Sequence, residues 1–261
     1  MHEALDALIA AGSELRYDLV GDNVTTILHG GGEYELEVAI MRLMRDFQIE
    51  LEIGAPNVAY RETITKTIEH GYTHKKQTDG SGAFAKVIMR FEALAPGAGC
   101  VFANEAAGDT VPPDCVTGVE NGLKLAMQSG VIAGFPMIDF KATLIDGQHH
   151  DVDSNATTFE IAARNCFQEA IPKAGPKLLE PMMRIEVVTP KEYIGDVIGD
   201  LLSRRCPVQG LDSRGDTEAI AATGPLANMF GYVNTLQSMT QGRATYKMHF
   251  DHYGRTPHTR G

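Results

Sequence analysis

The 261-residue chain has no tryptophan, four cysteines, and no apolar run near the ~18 to 20 residues of a membrane span. Its opening Met1-His2-Glu3-Ala4 lacks the basic start and apolar stretch of a signal peptide, so a cytoplasmic protein with no membrane partner is expected. Cys100, Cys115, Cys166 and Cys206 include no Cys-x-x-Cys pair, which argues against a zinc ribbon or disulfide framework and predicts reduced, mostly buried thiols. No Gly-x-x-x-x-Gly-Lys-Ser/Thr occurs, so a P-loop route to GTP or ATP hydrolysis is excluded. No Ser/His/Asp or Cys/His arrangement stands out either, and no residue is assigned a catalytic role. Positive charge is in deficit: 23 Lys and Arg against 34 Asp and Glu leave a net −11. That balance argues against a protein that coats nucleic acid non-specifically, while leaving room for local RNA contacts by basic or glycine-rich loops.

What is present suits an ordinary globular chain, with 43% hydrophobic and 22% charged residues and a length that predicts two or three domains. Near the C-terminus, Met183 to Val188 alternates as a strand, and Thr189-Pro190-Lys191-Glu192 reads as a capping box. Ile194, Val197, Ile198 and Leu201 then fall on one helical face, until Arg204-Arg205-Cys206-Pro207 ends the helix. Strands are predicted over Val208 to Leu211 and Thr217 to Ala222, and a helix carries Leu226, Met229, Phe230, Val233 and Leu236. The last strand alternates so that Ala244, Tyr246, Met248 and Phe250 face a core. The order is βαββαβ, a ferredoxin-like unit. Residues up to 54 repeat it without the opening strand. A helix over Glu3 to Ala10 and strands near Leu15 to Val20 and Val24 to His29 precede a helix with Leu36, Ile40, Leu43 and Met44 on one side. A final strand is expected over Gln48 to Ile53. The missing strand is a central one, so the chain reads as a C-terminal fragment whose incomplete first sheet invites artificial association.

Between these units, strands over Lys86 to Phe91 and Met137 to Ile145 and helices near Gly118 to Met127 and Ser154 to Ile171 are predicted. Two polar loops punctuate this segment, Gln77-Thr78-Asp79-Gly80-Ser81-Gly82-Ala83-Phe84 and Asp146-Gly147-Gln148-His149-His150-Asp151-Val152-Asp153-Ser154, and function is expected to concentrate there. His149, His150, Asp151 and Asp153 are ordinary metal-ligand types, and a metal-dependent hydrolase centred on them is the reading from a different class. Adjacent histidines point apart on an extended loop, however. The competing reading is a solvated loop in which Asp153 or Ser154 caps the next helix and holds His150 and Asp151 for polar contact with RNA. Lys75, Lys76 and Lys86 with Phe84 flank the first loop either as an RNA-contact surface or as a plain hairpin. Gly30-Gly31-Gly32 reads as a helix-entry turn rather than a phosphate loop.

Longer strings then point to a family. Pro56-Asn57-Val58-Ala59-Tyr60-Arg61-Glu62-Thr63-Ile64, Ala133-Gly134-Phe135-Pro136, His150-Asp151-Val152-Asp153-Ser154 and Leu178-Leu179-Glu180-Pro181-Met182 stand in order. So do Gly195-Asp196-Val197-Ile198-Gly199-Asp200-Leu201 with Arg204-Arg205, Met229-Phe230-Gly231-Tyr232 and Gly242-Arg243-Ala244. From residue 1 to about 253 the chain resembles the C-terminal half, domains III to V, of the bacterial elongation factor G family of translational GTPases. The resemblance implies an α+β multidomain chain. It has a partial ferredoxin-like domain III at 1–57, a ribosomal-protein-like domain IV with a left-handed crossover at 58–177, a ferredoxin-like domain V at 178–253 and a short tail at 254–261.

It implies that the domain IV tip enters the ribosomal decoding centre during tRNA–mRNA translocation. Contacts then come from Gly80, Ser81, Gly82, Ala83, Phe84, His149, His150, Asp151, Asp153 and Ser154, with domain V near the sarcin-ricin RNA and the Pro190 to Arg205 helix as a weaker contact. GTP and magnesium belong to an upstream domain of the full-length protein, with no cofactor or metal on this chain, and a monomer is expected. The family's Gln and aromatic in the first loop are replaced by Ser81 and Ala83-Phe84. Such departures leave a ribosome-recycling or ribosome-protection paralogue as the alternative.

Overall fold

The computed structural model describes residues 2–10, 15–20, 25–30, 33–54, 57–78, 81–107 and 110–257. The chain divides into two compact units, one formed by Met1–Val58 with Pro181–Asp251 and the other by Ala59–Glu180 with His252–Gly261. Among the described residues there are three separate hydrophobic cores.

The N-terminal core is small. Helix α1 (His2–Ala10) supplies Ala4, Leu5 and Leu8, and helix α2 (Glu33–Asp46) supplies Ala39 and Leu43. Between them β1 (Arg16–Val20) and β2 (Thr25–His29) form an antiparallel pair with Tyr17 opposite Leu28. The buried stripe of α2 is rotated from the sequence expectation. Ala39 takes the central place, and Met44 is left 49% exposed. The strand expected over Gln48 to Ile53 makes no ladder. In a ferredoxin-like sheet the last strand pairs only with the first, and no strand among the described residues stands there. The segment therefore rests Ile49 and Leu51 on the core without regular backbone partners. Gly31 and Gly32 of the predicted helix-entry turn lie outside the described residues.

The middle unit is a two-layer α/β body. Its sheet has the order β4-β5-β7-β6, from β4 (Ile68–Thr78), β5 (Ser81–Ala93), β6 (Cys100–Asn104) and β7 (Phe140–Gln148). The pairs are antiparallel except β6 with β7, which are parallel and joined through helix α3 (Pro113–Ala126). Ala85, Val87, Met89 and Phe91 alternate inward on β5, fully buried against Phe159, Ala162, Ala163, Cys166, Phe167 and Ala170 of α4 (Ala156–Ala170). Helix α3 starts five residues before its expected beginning at Gly118, because Pro113 occupies the first turn, where its missing N–H costs nothing. It runs parallel to α4 at close range: a Cβ on Gly118 would run into the Ala156 carbonyl, and one on Gly122 into that of Glu160.

At the end of this unit away from the Gln148 end of β7, the short β3 (Arg61–Thr63) pairs with the start of β8 (Lys177–Pro190). Glu62 on β3 is fully buried. Its carboxylate accepts from the N–H groups of Ile132 (2.8 Å), Ala133 (2.8 Å) and Phe135 (3.2 Å). Its own N–H donates to the Pro136 carbonyl, and its carbonyl accepts from Ile138. One side chain thus organises the whole 130–136 turn.

The C-terminal unit has the order β11-β8-β10-β9, the arrangement of a ferredoxin-like sheet, from β9 (Val208–Arg214), β10 (Thr217–Pro225) and β11 (Thr245–Arg255) with β8. Met183, Ile185 and Val187 of β8 face Val197 and Leu201 of α5 (Ile194–Ser203) and Tyr232 and Leu236 of α6 (Tyr232–Met239). The predicted capping box does not form. Thr189 stays in the β8 ladder opposite Glu218, its buried hydroxyl lacks a hydrogen-bond partner, and a 3-10 turn over Lys191–Tyr193 leads into α5. Arg204 closes α5 through Asp200 (2.8 Å), the Asn228 carbonyl (2.9 Å) and the Thr235 hydroxyl (3.0 Å). On β11, an edge strand, burial fades from Ala244 to Phe250, which is 54% exposed rather than facing the core.

Candidate nucleic-acid interface

The geometry of the middle sheet decides where the two polar loops go. β5 and β7 are paired so that Lys86 lies opposite Gln148, the last residue of β7. The β4–β5 hairpin continues past that point to the Thr78–Ser81 pair, an overhang of five residues or about 17 Å. The chain leaving β7 turns across this overhang before entering α4. The hairpin end and the residues from His149 to Ser154 therefore meet at one end of the unit, although some seventy residues separate them in sequence.

Hydrogen bonds fix that meeting. The Phe84 N–H donates to the Asp153 carbonyl (2.8 Å), and the Ser154 hydroxyl donates to the Phe84 carbonyl (2.6 Å). The same hydroxyl accepts from the His150 N–H (2.8 Å), while the Ser154 N–H donates to the His150 carbonyl (3.0 Å). Gly82 allows the approach, since a Cβ there would stand 2.6 Å from the Asp153 carboxyl carbon. Of the other first-loop residues, Ser81 opens β5, Ala83 lies opposite Lys76 and Phe84 opposite Lys75, while Gly80 lies outside the described residues.

The two histidines are held differently. His149 is partly sheltered, and its Nδ1 lies 3.1 Å from the Thr110 carbonyl, which only accepts, so Nδ1 carries a proton. Its Nε2 stands 3.5 Å from Asp151. His150 is more open, with 59% of its side chain exposed. Two neighbours approach its Nδ1 at 3.4 Å, the Val152 N–H and an Asp153 carboxylate oxygen. The first requires a bare nitrogen and the second a protonated one, and at that length neither is a strong bond. Asp151 and Val152 form the outermost part, with Val152 85% exposed. An open cleft of about 690 Å³ lies behind His149 and His150, between the starts of α3 and α4.

The structure corrects one local reading and adds residues that sequence reasoning missed. Neither Asp153 nor Ser154 caps α4. Asn155 does, accepting from the Thr158 N–H (2.9 Å) and hydroxyl (3.0 Å), which leaves Ser154 for the hairpin. An Asn immediately before an apolar helical pattern was a readable signal for this. Thr110 and Glu62 carried none. Among the described residues no three His, Cys, Asp or Glu side chains come together to hold a metal ion, so the hydrolase reading finds no ligand set. Cys115, Cys166 and Cys206 are buried and Cys100 is exposed. Burial pushes the Cys166 thiol up to about 12 and that of Cys206 up to about 11, so both stay protonated and unreactive at neutral pH. The described part of the loop pair is exposed and braced by hydrogen bonds, a geometry suited to contact.

Comparison with known proteins gives this arrangement a context. Residues 56–175 match the family model described as elongation factor G, domain IV, and residues 177–260 the one described as elongation factor G C-terminus. The chain is 52% identical over 255 residues to elongation factor G of Wolbachia pipientis subsp. Culex pipiens (strain wPip), covering 97% of this chain and 37% of that protein. It is 52% identical over 257 residues to elongation factor G of Ruegeria pomeroyi, covering 98% and 36%. A crystal structure of a Thermus thermophilus protein matches with a TM-score of 0.80 at 36% identity, over 98% of this chain and 38% of that one. The chain thus spans little more than a third of the length of the curated relatives it matches.

Proposed function

The chain belongs to the elongation factor G family, and from that premise we propose that its middle unit is the probe of a ribosomal translocase. In this reading the end formed by Ser81–Phe84 and His149–Ser154, together with Gly80 from outside the described residues, enters the decoding centre and bears on the tRNA–mRNA backbone as the two move. The observation that carries the proposal is the hydrogen-bonded union of the two loops into one exposed head, through Phe84, Asp153, Ser154 and His150. A rigid projecting head can occupy space vacated by RNA and resist its return, which is a positioning task needing no acid, base or nucleophile. Contact with 2′-hydroxyls and phosphates suits the donors and acceptors that His150, Asp151 and Asp153 display.

The energy source lies elsewhere. GTP and magnesium are assigned to an upstream GTPase domain of the longer relatives, and this chain supplies the part whose orientation that domain sets. The division into domains III, IV and V at about 57, 177 and 253, the approach of domain V to the sarcin-ricin RNA, the cytoplasmic location and the monomeric state belong to the same proposal. A net charge of −11 is compatible with it, because upstream domains and a ribosome-sized surface share the binding.

The test joins the chain to the upstream domains of its Wolbachia relative and measures single-turnover tRNA–mRNA movement beside ribosome splitting with recycling factor. Rapid movement supports the translocase reading. Splitting without movement overturns it in favour of a recycling paralogue.

A further inference from the structure

We infer that Ser154 is a positioning residue that makes the hairpin end and the His150 loop a single body, so that changes in the hairpin act on RNA through His150. The inference rests on the translocase reading for its functional arm and on geometry for the rest.

The Ser154 hydroxyl has one proton to give and lone pairs to receive, and both capacities are spent where the loops meet. It donates to the Phe84 carbonyl at 2.6 Å and accepts from the His150 N–H at 2.8 Å. Since its own N–H returns to the His150 carbonyl, both main-chain polar groups of His150 are tied to Ser154. Both main-chain polar groups of Phe84 are likewise tied to the second loop, the N–H to Asp153 and the carbonyl to Ser154. Among the described residues two bonds cross between the loops, and the Ser154 hydroxyl supplies the one made by a side chain. The cap of α4 falls to Asn155, so Ser154 is not needed to start the helix. Gly82 completes the contact from the hairpin side by letting the Asp153 carboxylate lie against the strand, with one of its oxygens 3.4 Å from His150 Nδ1.

This arrangement gives a specific meaning to substitutions at the hairpin end. A side chain at Gly82 pushes the Asp153 carboxylate aside, and with it the charge beside His150, while the Phe84 bond to the Asp153 main-chain carbonyl can stay. Variation in the first loop therefore need not touch RNA to alter what the second loop presents.

The experiment is amide hydrogen exchange on the 261-residue chain, read at Phe84 and His150 with Val87 and Met89 as core references. Ser154→Ala is expected to speed exchange at both Phe84 and His150 roughly tenfold, the scale of one lost hydrogen bond, with Val87 and Met89 unchanged. Ser154→Thr, which keeps the hydroxyl, restores both. Gly82→Ala, which moves the Asp153 carboxylate, leaves both amides slow and shifts the His150 ring resonances instead. Acceleration at His150 alone in Ser154→Ala, with Phe84 unmoved, means the hydroxyl shapes only its own loop and overturns the inference. Unfolding of the references in Ser154→Ala is met by reading Gly82→Ala, where unmoved His150 ring resonances are equally fatal.

The functional arm uses the protein joined to its relative's upstream domains. Ser154→Ala slows tRNA–mRNA movement, and the Ser154→Ala/His150→Ala double variant is no slower than His150→Ala. Additive losses contradict action through His150. If His150→Ala alone leaves movement intact, the translocase role of this end falls, while the exchange result still decides the bracing.

Discussion

The two ends of the middle unit hold their loops by opposite means. At one end Glu62, fully buried, gathers three N–H groups of the 130–136 turn onto its carboxylate. At the other, among the described residues, four bonds at Phe84, His150, Asp153 and Ser154 hold the exposed His149–Ser154 loop against a hairpin, three of them involving Ser154. A buried carboxylate is costly to strand and so binds its turn tightly, whereas bonds facing water are individually worth little. The difference separates stability from function: the Glu62 end should respond to mutation by unfolding, and the His150 end by altered contact.

Glu62→Ala sharpens this most. It leaves three N–H donors without an acceptor and is expected to cost the unit about 4 kcal/mol, read by urea unfolding, with Glu62→Gln losing roughly half as much because one oxygen remains. A loss below about 1 kcal/mol would erase the contrast between the two ends. Next in size is Gly118→Val, which forces α3 away from the Ala156 carbonyl and should cost about 3 kcal/mol in the same assay.

Alkaline pH acts on the cores and spares the exposed end. Cys166 and Cys206 titrate near 12 and 11 when folded, because burial disfavours the thiolate, against an ordinary value of 9.0. The folded chain keeps protons that the unfolded chain gives up, so stability is full below pH 9 and declines as pH rises toward 12. Replacing both thiols by Ala should flatten that decline in pH-dependent unfolding. The smallest effect on stability belongs to His150→Ala, within about 0.5 kcal/mol, since the ring is largely exposed and its contacts are long.

Much of this architecture was legible because periodicity reports burial directly. The apolar face of α4 and the ferredoxin-like order of the C-terminal unit follow from spacing alone. Three kinds of feature were not legible. The capping box at Thr189 looked right locally, but the β8 ladder retains that residue. The alternation from Gln48 to Ile53 is that of a strand, yet a strand needs a neighbour, which pattern does not supply. Glu62 and Thr110 act through turns and loops that only the fold brings near, 70 residues away from Ile132 and 39 from His149 respectively. The loops themselves were singled out by composition. The Asn155 cap was readable from its place before the apolar pattern of α4, but that Ser154 binds the two loops together is a property of the folded chain that no local pattern announces.

The central claim, that the braced end is a contact surface rather than an engine, is tested most directly by His150→Ala in the protein joined to its relative's upstream domains. Single-turnover tRNA–mRNA movement and ribosome-stimulated GTP hydrolysis are measured on the same preparation. The account predicts movement slowed roughly tenfold or more, the scale of a lost positioning contact, with hydrolysis nearly unchanged. Equal loss of both rates, or loss of neither, would contradict it.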